Sequence, residues 1–163
     1  MARRVFFSFH YERDIWRASQ IRNSWVTKPN RESAGFWDSA SWEAAKKIGE
    51  DAIERWINNQ LHGTSVTVVL IGTETSERKY VKYEIKRSYE IGNGMLGIYI
   101  HNMKDQFGRT DVKGKNPFDN WYLNRNGHII YFSSLYHTYD WVYDRGYKNI
   151  GDWIEKAARD VGR

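Results

Sequence analysis

The sequence predicts an α/β fold, a flavodoxin-like doubly wound parallel sheet with helices on both faces, and three observations predict it. Near-continuous apolar runs stand at Val5 to Phe9, Val66 to Ile71 and Met95 to Ile100. They lack the alternation of a sheet wet on one face, so they read as buried central strands. Amphipathic segments at helical spacing lie between them. The resulting order of strand, helix, short extended piece, helix, strand, helix, strand and closing helix is the alternation that builds a parallel sheet covered on both sides.

Val5, Phe6, Phe7 and Phe9 make the first strand, interrupted only by Ser8. Ile15, Ala18, Ile21 and Trp25 then recur at helical spacing. A short edge strand is expected around Gly35 to Asp38. Ala45, Ile48, Ala52, Ile53, Trp56 and Ile57 predict one long second helix, capped by Ser41 with Glu43 in its first turn and stopped by Gly63 after Leu61. A third helix, from about Arg78 to Glu90, carries Val81, Ile85 and Tyr89, and Gly92 ends it. Residues 102–128, rich in Gly, Asn, Lys and Asp, read as an ordered loop or insertion. The last strand is either Ile129 to Phe132 or Tyr139 to Val142. The closing helix, around 149–161, places Ile150, Trp153, Ile154, Ala157, Ala158 and Val161 on one face after a cap at Asn149. Residues 1–163 are expected to form a single domain around one core.

Composition narrows the function classes. Hydrophobic residues make up 40% and charged residues 28%, as in a globular protein, whereas eight Trp and eleven Tyr are more rings than an ordinary core uses. Some should line a site. The absence of cysteine excludes disulfides and thiolate metal sites, and favours a reducing, cytoplasmic location. The scattered histidines argue against a metal centre. The basic amino terminus lacks the apolar region of a signal peptide, and no run approaches the ~20 apolar residues of a membrane helix. A formal charge of +5 favours anionic ligands such as nucleotides. Basic and acidic residues are interspersed, however, which disfavours a nucleic-acid partner.

Gly92, Gly94 and Gly97 match the dinucleotide fingerprint in spacing only. That fingerprint leaves a strand and opens a helix, whereas these glycines leave a helix and enter a strand. Ligands of a doubly wound sheet bind beyond the carboxyl ends of the strands, where strand order reverses. With strand order 2-1-3-4-5 this crevice lies near Ser8, Phe9 and His10 on one side and Gly72 and Thr73 on the other. Ser8 either bonds to backbone or faces a ligand. Glu84, three residues from Val81 and beside Ile85, should border the core; the alternative is a surface carboxylate pairing with Arg87 or Ser88. Trp37, Asp38 and Trp42 offer flat rings and a carboxylate to a ligand base, or simply close the core. The aromatic cluster of Tyr139, Asp140, Trp141 and Val142 reads as structural.

Several blocks in order resemble one family. They are Arg3-Arg4-Val5-Phe6-Phe7-Ser8-Phe9-His10, Ala34-Gly35-Phe36-Trp37-Asp38 with Trp42-Glu43, the strand from Ser65 into Gly72-Thr73, and Tyr80-Val81-Lys82-Tyr83-Glu84-Ile85. Tyr139-Asp140-Trp141-Val142 and Gly146-Tyr147 continue the likeness almost to the end. Together they resemble the Thoeris TIR-like proteins (the ThsB family) of bacterial antiphage defence. The resemblance implies an enzyme that takes NAD as substrate with no prosthetic group, cleaves the nicotinamide–ribose bond and cyclises ADP-ribose into a messenger. It also implies a separate effector protein that the messenger activates, a phage protein as trigger, and homo-oligomers. By the same resemblance Glu84 is catalytic, and Ser8, Phe9, His10, Trp37, Asp38 and Tyr83 line the pocket. Two other classes remain open from the residues: a non-catalytic TIR-like interaction module and a flavodoxin-type nucleotide-binding domain.

Overall fold

The computed structural model describes residues 2–37 and 39–163. The three apolar runs form β1 (Arg3–Ser8), β3 (Val66–Ile71) and β4 (Gly94–Tyr99), and every residue of β3 is buried. β2 (Arg31–Ala34) and β7 (Thr138–Asp140) flank them, giving a five-stranded parallel sheet in the order β2-β1-β3-β4-β7. This is the expected flavodoxin-like order, with its reversal between β1 and β3.

The helices divide by face. Val5, Phe7 and Phe9 pack with Ala18, Ile21 and Trp25 of α1 (Tyr11–Val26) and with Ile150 and Ile154 of α6 (Gly146–Asp160). Phe6 points the other way, toward Ala45 of α2 (Ser39–Ile48) and Ile53, Ile57 and Leu61 of α3 (Glu50–Leu61). Val69 and Ile71 share that second face with Val81 and Ile85 of α4 (Lys79–Glu90). A strand's two-residue period fixes these choices, and it sends Ser8 to the face that carries Phe6 and α4. Arg3 clamps α6 to the sheet through a two-bonded pair with Glu155, Nε to Oε2 at 2.8 Å and Nη2 to Oε1 at 3.0 Å.

Three expectations need correction, and one open choice is resolved. The edge strand is Arg31–Ala34, not Gly35 to Asp38: Gly35 takes a φ of 91° and gives its N–H to Gln60 Oε1 at 3.1 Å, leaving the ladder. Asp38 itself lies outside the described residues. The single long helix is two, because Gly49 turns the chain with a φ of 123°, a conformation that favours glycine. Ile48 accordingly falls outside the core at 73% exposure, and Ser41 sits inside α2 instead of capping it. The closing helix begins at Gly146, three residues before Asn149, whose side-chain amide donates to the Asp144 carbonyl at 3.0 Å. Both candidate last strands exist. Thr138–Asp140 joins the sheet, whereas His128–Tyr131 (β6) pairs antiparallel with Tyr122–Arg125 (β5) in a separate hairpin, followed by the short α5 (Phe132–Leu135).

The cluster at Tyr139 is structural as expected, with its ring stacked on Trp153 at 4.1 Å. Among the described residues no helix is long and apolar enough to cross a membrane. Gly94, at the start of β4, lies so close to α6 that a side chain there would run into the backbone at Ala157 and Ala158. Gly94→Ala should therefore lower stability by about 3 kcal/mol, read as a reduced urea midpoint at unchanged slope.

Candidate functional site

The site begins with one buried pair. Ser8, the last residue of β1, points to the α4 face, and its hydroxyl donates to Oε1 of Glu84 at 2.7 Å. Glu84 is 6% exposed and Ser8 is fully buried, so this hydrogen bond spans the strand–helix contact. Neither alternative partner of Glu84 is used. Arg87 reaches Asn58 and Glu90, and the Ser88 hydroxyl pairs with Thr67 at 2.6 Å.

Glu84 forms part of the wall of a narrow cleft, about 40 Å³ in volume, with Phe9, His10, Tyr11, Trp37, Trp42, Arg78 and Tyr80. The cleft lies beyond the end of β1, between the segment that follows β2 and the first turns of α4. Its walls are aromatic: Trp37 stacks on Trp56 at 3.6 Å and meets Trp42 edge-on at 5.0 Å, while Tyr11 lies 5.6 Å from Trp42. Gly35 also lines this wall, packed so closely on β1 that a side chain there would run into the Phe7 carbonyl. The Trp42 indole N–H is buried with no hydrogen-bond partner among the described residues. A flat apolar slot with a few inward polar groups suits a planar ring ligand.

Burial dominates the electrostatics. It pushes the Glu84 carboxyl up to about 8, against the smaller opposing effect of the Ser8 hydrogen bond. The acid form therefore predominates at neutral pH. His10 is lowered, first by burial and then by the Arg78 charge. Glu12, at the rim, faces Lys46 across 3.7 Å.

The structure brings together Phe9, His10, Trp37 and Glu84, with Ser8 behind the carboxyl group. Tyr83 is not with them. One residue before Glu84 on a helix is about 100° away, and the Tyr83 hydroxyl donates to Asn58 on α3 at 3.1 Å. The residues that share Glu84's face are Tyr80 and Val81, at four and three residues' remove, and this spacing was readable in the sequence. Arg78 had no such signal, because it precedes the helix. Gly72 and Thr73 do not line the cleft. Asp14 packs against Gly72, and the segment from His101 to Asn116 covers them, held by Arg17 Nε to the Met103 carbonyl at 2.8 Å and by the Thr73 hydroxyl to the Val112 carbonyl.

The raised acid carries a stability consequence. Between the ordinary value of 4.5 and about 8 the folded chain keeps a proton on Glu84 that the unfolded chain has lost, so its contribution to stability falls as pH rises through that window. Glu84→Gln keeps the shape and removes the titration. Paired urea titrations from pH 5 to 9 should show the variant gaining on the wild type up to pH 8, by on the order of 4 kcal/mol. Parallel curves would show that the carboxyl is not held in its acid form.

Comparison with known proteins shows the family. Residues 6–105, from β1 past β4, match the family model described as Thoeris protein ThsB, TIR-like domain. A Bacillus cereus (strain MSX-D12) protein named "Putative cyclic ADP-D-ribose synthase ThsB1" is 39% identical over 191 residues, an alignment covering 94% of this chain and all of the relative. The alignment is longer than this chain, so the relative carries stretches that this chain lacks. With the match running over most of its length, the chain belongs to the family of Thoeris ThsB proteins with a TIR-like domain.

Proposed function

We propose that the protein is an NAD-consuming enzyme that cleaves the nicotinamide–ribose bond and cyclises ADP-ribose into a signalling nucleotide in antiphage defence. The observation that carries this reading is the Glu84 carboxyl, buried beside an aromatic cleft and held by Ser8. The name of the Bacillus cereus relative supports it. When the bond from ribose to the pyridinium nitrogen breaks, its electron pair stays on nicotinamide, which leaves neutral. The sugar becomes oxocarbenium-like, and a carboxylate at its face stabilises that charge. No second acid is needed.

In this reading Glu84 is the catalytic group, and Ser8 positions it. Burial favours the acid form of Glu84, and a pyridinium ring in the cleft supplies the opposite charge that favours ionisation. Phe9, His10, Trp37 and Tyr80 bound the ligand. Asp38 keeps its assignment to the same loop by resemblance alone. Aromatic walls that exclude water favour attack by an atom of the same ADP-ribose, which bonds to the anomeric carbon and releases a proton to give a cyclic isomer. NAD is thus the substrate and no prosthetic group takes part. The whole chain, 1–163, acts as one domain in the cytoplasm. A phage protein as trigger, assembly into homo-oligomers and a separate effector responding to the product complete the proposal.

The test is made in infected cells. Bacteria expressing the wild type should accumulate an ADP-ribose isomer, detected by mass spectrometry, and those expressing Glu84→Gln should not. An isomer in both strains removes Glu84 from the chemistry, and an isomer in neither favours a non-catalytic interaction module. For the purified enzyme in turnover, kcat/KM should rise about tenfold per pH unit and level off near pH 8, because the anion is the active form.

A further inference from the structure

We propose that Arg78 is the anion-binding residue of the cleft, gripping the diphosphate of the nucleotide and so selecting phosphorylated ligands over nucleosides. The inference rests on the cleft being a nucleotide site, as proposed above, but not on the cleavage itself.

Arg78 is the one Lys or Arg among the residues lining the cleft. It is exposed, and among the described residues its guanidinium has no hydrogen bond, ion pair or ring partner. The nearby arginines are different. Arg13 is engaged by Glu74 at 3.0 Å and Asp111 at 2.7 Å, and Arg17 by the carbonyls of Met103 and Arg109 at 2.8 Å. Lys79, the next residue, is bound to Glu50. A free guanidinium fork at the mouth of a cleft is matched to a phosphate, which it can hold through two parallel bonds.

Position supports the same partner. Arg78 precedes α4 and Glu84 lies in its second turn, so six residues, about 9 Å of helix, separate them along the axis. Both residues line the same cleft, so a ligand whose anomeric carbon meets Glu84 can offer its 5′-phosphate to Arg78. Most of the acids nearby are neutralised: Glu84 is held in its acid form, Glu12 faces Lys46 and Glu74 is bonded by Arg13 at 3.0 Å, which leaves Glu77, the residue before Arg78, while α4 opens with no acidic residue in its first turn. The partial positive charge of that helix end therefore adds to Arg78. Tyr80 follows on the same cleft wall, where it meets the ring whose phosphate Arg78 holds.

Calorimetric titration with ADP and with adenosine separates this role from a merely structural one. Arg78→Gln should weaken ADP about 10- to 100-fold and leave adenosine unchanged. Arg78→Lys should fall between. Equal ADP affinity in wild type and Arg78→Gln would overturn the assignment, as would a wild type that does not bind ADP. A parallel loss of adenosine would also count against it, since the cleft's shape and not its charge would then be at stake. If ADP binding depends on Arg78 while infected cells yield no ADP-ribose isomer, the anion site stands and the cleavage reading falls.

Discussion

Everything at this site depends on a carboxyl group kept out of water by one strand and one helix. The Ser8 hydroxyl is the hydrogen-bond partner the chain supplies to Glu84, at 2.7 Å, and the pair meets only because two periodicities coincide. A two-residue repeat turns Ser8 away from Phe7 and Phe9, and a helical repeat turns Glu84 inward beside Val81 and Ile85. A slip of one residue in either element would break the pair. It would also carry Phe6 or Ile85 out of the core, so the apolar packing that stabilises the fold also enforces the geometry of the acid.

The seam between α4 and the sheet is polar at more than this point. Four residues beyond Glu84, Ser88 meets Thr67 of β3, and the side-chain amide of Asn93 donates to Thr64 at 2.9 Å and Thr67 at 3.2 Å. Arg163 then donates to the Asn93 side-chain oxygen at 2.7 Å. Apolar contacts alone tolerate sliding, whereas buried hydroxyls and amides must find their particular partners. This ladder fixes how far α4 reaches along β1 and β3. Glu84, at its open end, is consequently placed to within the tolerance of a hydrogen bond, although it stands at the wall of a cleft.

Much of this was legible in the chain. The strand order followed from apolar runs alternating with amphipathic segments, and Glu84 stood out by its place between inward-facing residues. What was not legible depended on competition between distant groups. Gly49 was a local sign of a break, but the helical pattern running on through Ile53 and Ile57 outweighed it. Tyr83 sits next to Glu84 in sequence and was grouped with it, but adjacency on a helix separates side chains, and Asn58 of α3 takes its hydroxyl. Arg78 lies before its helix and shows its position only once β1 and α4 are set side by side. Two hydrophobic segments of similar length, near Ile129 and Tyr139, could not be ranked as the last strand, because the choice rests on pairing with β4.

The location of the cleft follows from what fills the alternative. Flavodoxin-like sheets offer a crevice at the reversal between β1 and β3, and here that space is already taken. Asp14 projects from the first turn of α1 against Gly72, with both carboxylate oxygens buried and unbonded among the described residues. Burial pushes its carboxyl up to about 6, although the charges of Arg13 and Arg17 pull the other way. Above it the segment from His101 to Asn116 is tied down by Arg13, Arg17 and Thr73, and Gly114 sits directly on the Gly72 carbonyl. A ligand entering there would have to displace a strap held by charge-assisted bonds, some of them buried. On the other side of β1 the walls are rings with few polar ties, and among the described residues Arg78 has no partner to give up. The same chain ends thus present one closed crevice and one open cleft, and the buried Glu84 carboxyl borders the open one.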